Sequence, residues 1–364
     1  MRLARTRARR DTGGDGTEGT RATGCRPEAG GTPARKEGFG AVSAAALVLI
    51  SLVACQSAPT PPPSAAAGVG ANATFVLANP AGLLALDDSA RTLGRIVDLP
   101  SQSAPSTPSL SPTRTALVFS LTLQPDPKRG FGSDIYTVNL DGSGLRPVVQ
   151  HESDNVFYAS PRLDASGNVL YFHRRAALIV NGSFAGNEDA IERLDLRTGE
   201  RKRIVKDGAD PAISPDGRTL VYVHLKDGQV DNLWRADIDG TNAGPLFKTK
   251  DAFFYLQAPR FAPNDCTLVF SAAGHTVSRA TGSSGGKMAH LNIPSDLYLT
   301  TCDGSGLKSV GQTGDDVVPA WSPLGDRVAY VGLGGFFVLD VKTQSVRAIA
   351  QGQDFFFGDL VWVK

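Results

Sequence analysis

Pro211-Ala-Ile-Ser-Pro-Asp-Gly-Arg-Thr-Leu-Val-Tyr-Val223 decides the fold, because variants of it begin again at Pro108, Pro161, Pro259 and Pro319, at spacings of 53, 50, 48 and 60 residues. Self-similarity at such a period marks stacked or circularly repeated units rather than one irregular domain. Within the copy, Pro211-Ala-Ile-Ser214 reads as a short strand, and Pro215-Asp216-Gly217 is turn chemistry, with proline presetting φ and glycine accepting positive φ. Leu220-Val-Tyr-Val223 is a continuous apolar run, as in a strand covered on both faces. Lys226-Asp-Gly228 turns the chain, Asn232 to Asp237 alternates as a third strand, and Pro245 to Lys248 supplies a fourth. Four strands per repeat with no helical periodicity is the pattern of a propeller blade.

Working outward, Ser133-Asp-Ile-Tyr-Thr-Val-Asn-Leu-Asp-Gly-Ser-Gly-Leu145 and Ser295-Asp-Leu-Tyr-Leu-Thr-Thr-Cys-Asp-Gly-Ser-Gly-Leu307 close two third strands almost identically. Five full copies leave two fragments. Ala73–Leu77, Gly82–Leu86 and Leu93–Leu99 read as three strands lacking a first, and Phe357–Lys364 reads as a first strand alone. Joined, they make a sixth blade, so the expectation is an all-β, six-bladed β-propeller whose C-terminal strand closes the ring onto three N-terminal strands. Closure in this way removes open sheet edges.

The Ser214-Pro-Asp-Gly217 turn, its variants Ser322-Pro-Leu-Gly325 and Ala262-Pro-Asn-Asp265, and the Asp-Ile-Tyr strand ending in Asp-Gly resemble the TolB-type (WD40-like) propeller repeat across residues 73–364. The resemblance implies a propeller used as an exported binding module. TolB carries an α/β domain before its propeller, whereas a linker stands in that position here.

The N-terminal fifth divides by composition. Arg35 and Lys36 precede an apolar stretch, Phe39 to Val53, that ends in Leu52-Val-Ala-Cys55. A charged region, an apolar region and small residues before a cleavage point make a secretory signal, and the ending resembles the bacterial lipobox, which implies lipid on Cys55. A plain secretory signal or a single membrane anchor is the alternative; the stretch is short for a span. The expected organisation is a leader over 1–54, a Pro/Ala/Ser-rich tether over 55–72 and the propeller over 73–364, held on a membrane outside the cytoplasm as a periplasmic or cell-surface lipoprotein. The leader holds nine basic and five acidic residues against +1 for the whole chain, so the mature protein carries about −3, which does not favour a nucleic-acid partner. A monomer without cofactor is expected.

Cys266 opens the second strand of one unit and Cys302 ends the third, positions that face each other in an antiparallel pair. They read either as a disulfide or as two buried thiols. His151, His173, His224, His275 and His290 fall in or beside the connections on one face, yet no pair has ligand spacing, so no metal is expected. Gly282-Ser-Ser-Gly-Gly286 matches G-x-S-x-G on paper, but it sits in a Gly/Ser loop without the strand-to-helix elbow that would expose Ser284 as a nucleophile. No catalytic residue is assigned.

Aromatic clusters precede three first strands: Phe157-Tyr158 in one unit, Phe254-Tyr255 in another and Phe356 in a third, flanked by Asp154, Asp251 and Asp354. One reading wedges these rings between neighbouring blades. The other makes them a ligand rim around the channel mouth for a protein, peptide or glycan, on the face where the longest loops are expected, Leu121 to Ser133, His173 to Glu188 and Ala272 to Ser295, since recognition commonly sits on loops over a rigid scaffold. The competing function is a propeller enzyme, a lyase or hydrolase, with its site at that mouth.

Overall fold

The computed structural model describes residues 68–247, 253–274, 295–352 and 358–364. Among these residues, after a single helical turn at Val69–Asn72, every regular element is a strand. β1 (Phe75–Asn79), β2 (Gly82–Leu86) and β3 (Thr92–Arg95) form a four-stranded sheet with the C-terminal β24 (Asp359–Trp362), in the order β24-β1-β2-β3. β24 runs antiparallel to β1, with Phe75 opposite Trp362 and Leu77 opposite Leu360.

Three further sheets have four strands in chain order. They are β12 (Gly208–Ile213) to β15 (Gly244–Pro245) through β13 (Thr219–Lys226) and β14 (Gln229–Asp237); β16 (Phe253–Phe261) to β19 (Lys308–Gln312) through β17 (Thr267–Gly274) and β18 (Asp296–Thr301); and β20 (Ala320–Trp321) to β23 (Val346–Gln351) through β21 (Arg327–Gly332) and β22 (Gly335–Asp340). The remaining eight strands are β4 (Ala104–Leu110), β5 (Ala116–Thr122), β6 (Gly132–Asn139), β7 (Arg146–Val149), β8 (Val156–Leu163), β9 (Val169–Val180), β10 (Ser183–Asp195) and β11 (Arg201–Lys206), and they form one sheet. The arrangement is all-β and propeller-like, but it differs from six separate four-stranded sheets. A parallel bridge, Gly132 to Val156 and Ser133 to Phe157, joins β6 to β8 and merges two repeats.

Each repeat folds as it does because its apolar run is covered on both sides. Leu220, Val221, Tyr222 and Val223 are all buried, as are Leu117 to Phe119 and Leu268 to Phe270 in the equivalent strands. The core is accordingly a series of slabs between neighbouring sheets: Phe75, Leu77 and Trp362 pack on Val331 and Phe336 in one, and Val221 and Leu233 on Leu256 and Phe270 in another. Asn181-Gly182 and Asp227-Gly228 carry positive φ at both positions (51° and 77°, 51° and 73°), the geometry of the tightest hairpin turn.

Two further departures from the sequence reading have simple causes. The segment His173 to Glu188 is not a loop. The Asn181-Gly182 turn lets β9 and β10 run together for their full length, with Val180 opposite Ser183. The fourth strand at Pro245 shrinks to Gly244–Pro245, because a proline cannot donate to a ladder and this is an edge.

Candidate functional site

The residue before four of the five repeat prolines carries the local geometry of the site. Thr107, Ser160, Asp210 and Ala258 all lie at positive φ (47°, 49°, 44° and 53°), and in each case a register shift interrupts the ladder at that point. A left-handed conformation costs a non-glycine residue of order 1–3 kcal/mol. Its recurrence in four first strands bulges the backbone and turns these side chains toward the neighbouring first strand.

The side chains then link the strands in succession. Thr107 N–H donates to Asp359 Oδ2 at 2.6 Å, Ser160 N–H donates to Thr107 Oγ1 at 2.9 Å, and Ala258 N–H donates to Asp210 Oδ2 at 2.9 Å. Arg260 Nη1 donates to Asp210 Oδ1 at 3.0 Å, while Arg162 Nη2 lies 3.8 Å from the same oxygen. Trp321 Nε1 continues the chain of contacts onto the Arg260 carbonyl at 2.9 Å. Burial alone would raise the Asp210 carboxyl; Arg260, Arg162 and the Ser160 hydroxyl outweigh it and hold the group below its ordinary range. Asp359 behaves oppositely, because burial dominates and pushes its carboxyl up. Arg162 is itself buried, and desolvation together with nearby Arg260 lowers its affinity for the proton.

These first strands line a cavity of about 370 Å³. Ser106, Thr107, Ser160, Asp210, Gln257 and Arg260 supply polar wall, with Asp316 and Asp359, and Ala258, Val318 and Gly358 leave one side small or apolar. Asn79 and Pro80, in the turn between β1 and β2, also line it. The cavity therefore opens on the face carrying the second-to-third strand turns and the entries to the first strands. A concave site with a few convergent polar groups on rigid strands suits a ligand group inserted from that face.

The sequence-derived rim residues separate on inspection. Phe157 is half-buried and packs edge-on against Phe131, ring centroids 5.3 Å apart. Tyr158 is a correction: it is 0 % exposed, its ring lies edge-to-face on Phe172, and the Arg201 guanidinium covers it at 4.9 Å. Its hydroxyl donates to Glu152 and accepts from Arg201 Nη2 at 2.6 Å, and burial pushes its pKa up. The strand alternation that half-exposes Phe157 turns Tyr158 into the core. Phe254 is half-buried, and the Tyr255 hydroxyl donates to Gln257 Oε1 at 2.8 Å, which places Tyr255 directly behind the cavity wall. Asp154 is occupied by the chain itself, accepting from Phe131 N–H at 2.8 Å and Asn155 Nδ2 at 2.9 Å, so it fastens two connections rather than offering charge. Phe356, Asp251, Asp354 and Cys55 lie outside the described residues, as do His275, Ser284 and His290.

The three described histidines each face a carboxylate: His151 Nδ1 is 2.5 Å from Asp134, His173 Nε2 2.7 Å from Asp189, and His224 Nδ1 3.0 Å from Asp231. Among the described residues no cluster of three or more His, Cys, Asp or Glu could hold a metal. Cys266 and Cys302 are joined as a disulfide, Cα atoms 5.3 Å apart, between β17 and β18. What sequence reasoning missed is the polar chain through Thr107, Ser160 and Asp210. Its signal was present, since each of these residues immediately precedes a repeat proline.

No family profile matches the chain, and no curated protein does. Among solved structures it is similar to TolB from Acinetobacter baumannii, with a TM-score of 0.57 at 16 % identity over 79 % of this chain; that match spans 65 % of the relative's length. It is also similar to a putative TolB from Agrobacterium tumefaciens (TM-score 0.51, 19 % identity, 75 % of this chain and 90 % of the other). A chain of the nidogen/laminin complex matches with a TM-score of 0.56 at 10 % identity, over 79 % of this chain and 97 % of the other. At these identities the likeness is one of fold, and that fold is the TolB-like β-propeller.

Proposed function

We propose that this chain is an exported, lipid-anchored, six-bladed propeller that binds a protein, peptide or glycan at the mouth of its central channel. The cavity between the first strands carries the reading: polar groups held by strained backbone converge on a concave site at one end of a rigid scaffold. A protein partner is favoured, since one structural relative comes from a protein–protein complex.

The count of six is supported by treating β4–β7 and β8–β11 as two blades fused through the β6–β8 bridge. Closure is supported by the β24–β1 ladder and by contacts between first strands that run β24-β4-β8-β12-β16-β20 and return to β24. Residues 1–54 serve as leader and 55–72 as tether, with Cys55 acylated after Leu52-Val-Ala. Two or three acyl chains hold a protein on a membrane where one gives only marginal binding. Among the described residues no helix is long and apolar enough to cross a membrane.

The mouth is tested by filling it. Ser106→Trp should leave the melting temperature in place and reduce by tenfold or more whatever co-purifies specifically with the wild-type chain from envelope extracts. Equal recovery with both chains would refute the site. For the anchor, Cys55→Ala should shift the protein out of the membrane fraction, and an unchanged mass and distribution would refute it.

A further inference from the structure

Beside the cavity, the β9–β10 hairpin continues past the sheet that supports it. β9 loses its partner β8 at Ala176, opposite Val156, and β10 loses β11 at Ala190, opposite Lys206. Beyond these points residues 178–180 and 183–186 pair only with each other, so both edges of the ribbon there carry backbone groups open to another strand. The turn at Asn181-Gly182 is a second-to-third strand turn, which puts the tip on the face where the cavity opens. Ala177 N–H donates to Asn155 O at 3.1 Å and ties the base of the ribbon to the connection entering β8.

The tip is apolar on both sides. Ile179 pairs with Phe184, and these point to one side at 55 % and 65 % exposure; Leu178 and Val180 point to the other at 44 % and 57 %. Gly186 faces Leu178 with nothing within 4 Å of the place a Cβ would take, so that side has an open notch. A ribbon with apolar side chains on both faces is stable in water only at the cost of exposed surface, and such patches mark interaction sites.

The surroundings decide what covers it. Residues 176–187 carry no charge, and at the base Arg174 is paired with Glu152, Glu188 and Glu192, Arg175 with Asp189, and Arg203 with Glu188. Among the described residues these base guanidiniums are already engaged by carboxylates rather than left to draw the tip to anionic headgroups, and the tip lacks the Trp or Tyr of an interfacial anchor. The chain enters the domain on the opposite face, where Gly68 N–H donates to Asp141 O in a third-to-fourth strand turn. A second copy is disfavoured by area: four half-exposed side chains offer a few hundred Å², short of the roughly 600 Å² per partner of a stable interface. A protein reaching across from the cavity gains that area from both surfaces.

We propose that residues 177–186 are a docking arm for a protein that also covers the channel mouth, and that an extended aliphatic segment of this partner adds as a strand along the free β10 edge. This rests on the mouth being a binding site. The test places the photo-crosslinking amino acid p-benzoylphenylalanine at Ile179 or at the exposed rim residue Pro80 in the full chain, with illumination in cells that produce it. One adduct of the same partner mass at both positions is expected. Introducing Ile179→Ser with Phe184→Ser should lower the Pro80 adduct tenfold or more with melting unchanged. Different adducts at the two positions, a lipid adduct at Ile179, an adduct of twice the chain mass, or none at Ile179 overturns the arm. If the Pro80 position also yields none, the mouth reading falls with it; an adduct at Pro80 alone leaves that reading standing.

Discussion

Replacing Trp362 with alanine probes the seam between the two ends of the chain. Trp362 is 5 % exposed, its ring centroid lies 4.9 Å from that of Phe75, and Phe75 in turn lies 4.7 Å from Phe336. The Arg327 guanidinium covers the indole at 5.0 Å, and Arg114 Nη2 donates to the Trp362 carbonyl at 2.5 Å. Truncating a buried tryptophan to alanine costs about 3–5 kcal/mol, because the removed area and the cavity left behind both count. For a domain of about 290 residues, with roughly 2.1 cal/mol/K of unfolding entropy per residue, that corresponds to a drop of about 5–8 °C in melting temperature. Truncation after Gly358 goes further, removing buried Leu360, Val361, Trp362 and Val363 together. At about 1.5–3 kcal/mol per side chain the loss is roughly 6–12 kcal/mol, of the order of the ~5–15 kcal/mol that holds a whole domain. Near-ultraviolet circular dichroism during heating should show the point variant melting early and the truncated chain without a cooperative transition. A truncated chain that melts at the wild-type temperature would refute the idea that β24 is integral to the fold.

Reduction of the Cys266–Cys302 bridge, which spans 36 residues, should cost about 3–4 kcal/mol in the unfolded-chain picture; alkylation in denaturant should label both thiols only after reductant, and the melting temperature should fall with it. Asp359→Asn should be neutral or stabilising at pH 7, since burial raises this carboxyl and the charged form is the disfavoured one. The advantage should fade as pH falls below the raised value and vanish below the ordinary carboxylate range, where both side chains are neutral; melting curves from pH 7 to 3 would read it, and a gap that widens on acidification would contradict it. Tyr158→Phe should cost about 1–3 kcal/mol by removing a buried hydroxyl bonded to charged partners, without changing what the chain captures; a loss of capture at unchanged stability would return Tyr158 to the rim.

The repeat itself was legible because its turns are chemically explicit. Asp216-Gly217, Asp227-Gly228 and Asp239-Gly240 mark turns that the backbone then realises with positive φ at Gly217, Gly228 and Gly240. The site was legible only in part. A pattern can say that Phe157 and Tyr158 adjoin a first strand, but which ring faces the core depends on the pleat, and one residue of register reverses the answer. The polar chain through Thr107, Ser160 and Asp210 was hidden for another reason: these residues share a position before a repeat proline, but the left-handed backbone that joins them shows only in the structure. The β9–β10 ribbon was misread as a loop because its length exceeds the other repeats, although Asn181-Gly182 between aliphatic runs is a strong hairpin signal.

The ladder between β1 and β24 also sets an order of events. Phe75 finds its partner Trp362 only after nearly the whole domain has been made, so the N-terminal sheet must wait with one long edge unfilled. Contacts between such distant residues are slow to form, since the intervening chain has to be organised first. In a protein delivered N-terminus first through a membrane, β1 would meet the outside long before β24 arrives. During that interval its apolar edge, Phe75-Val-Leu-Ala78, invites any passing strand. The yield of correctly folded protein should therefore depend on how quickly the last six residues follow and on what shields that edge in the meantime.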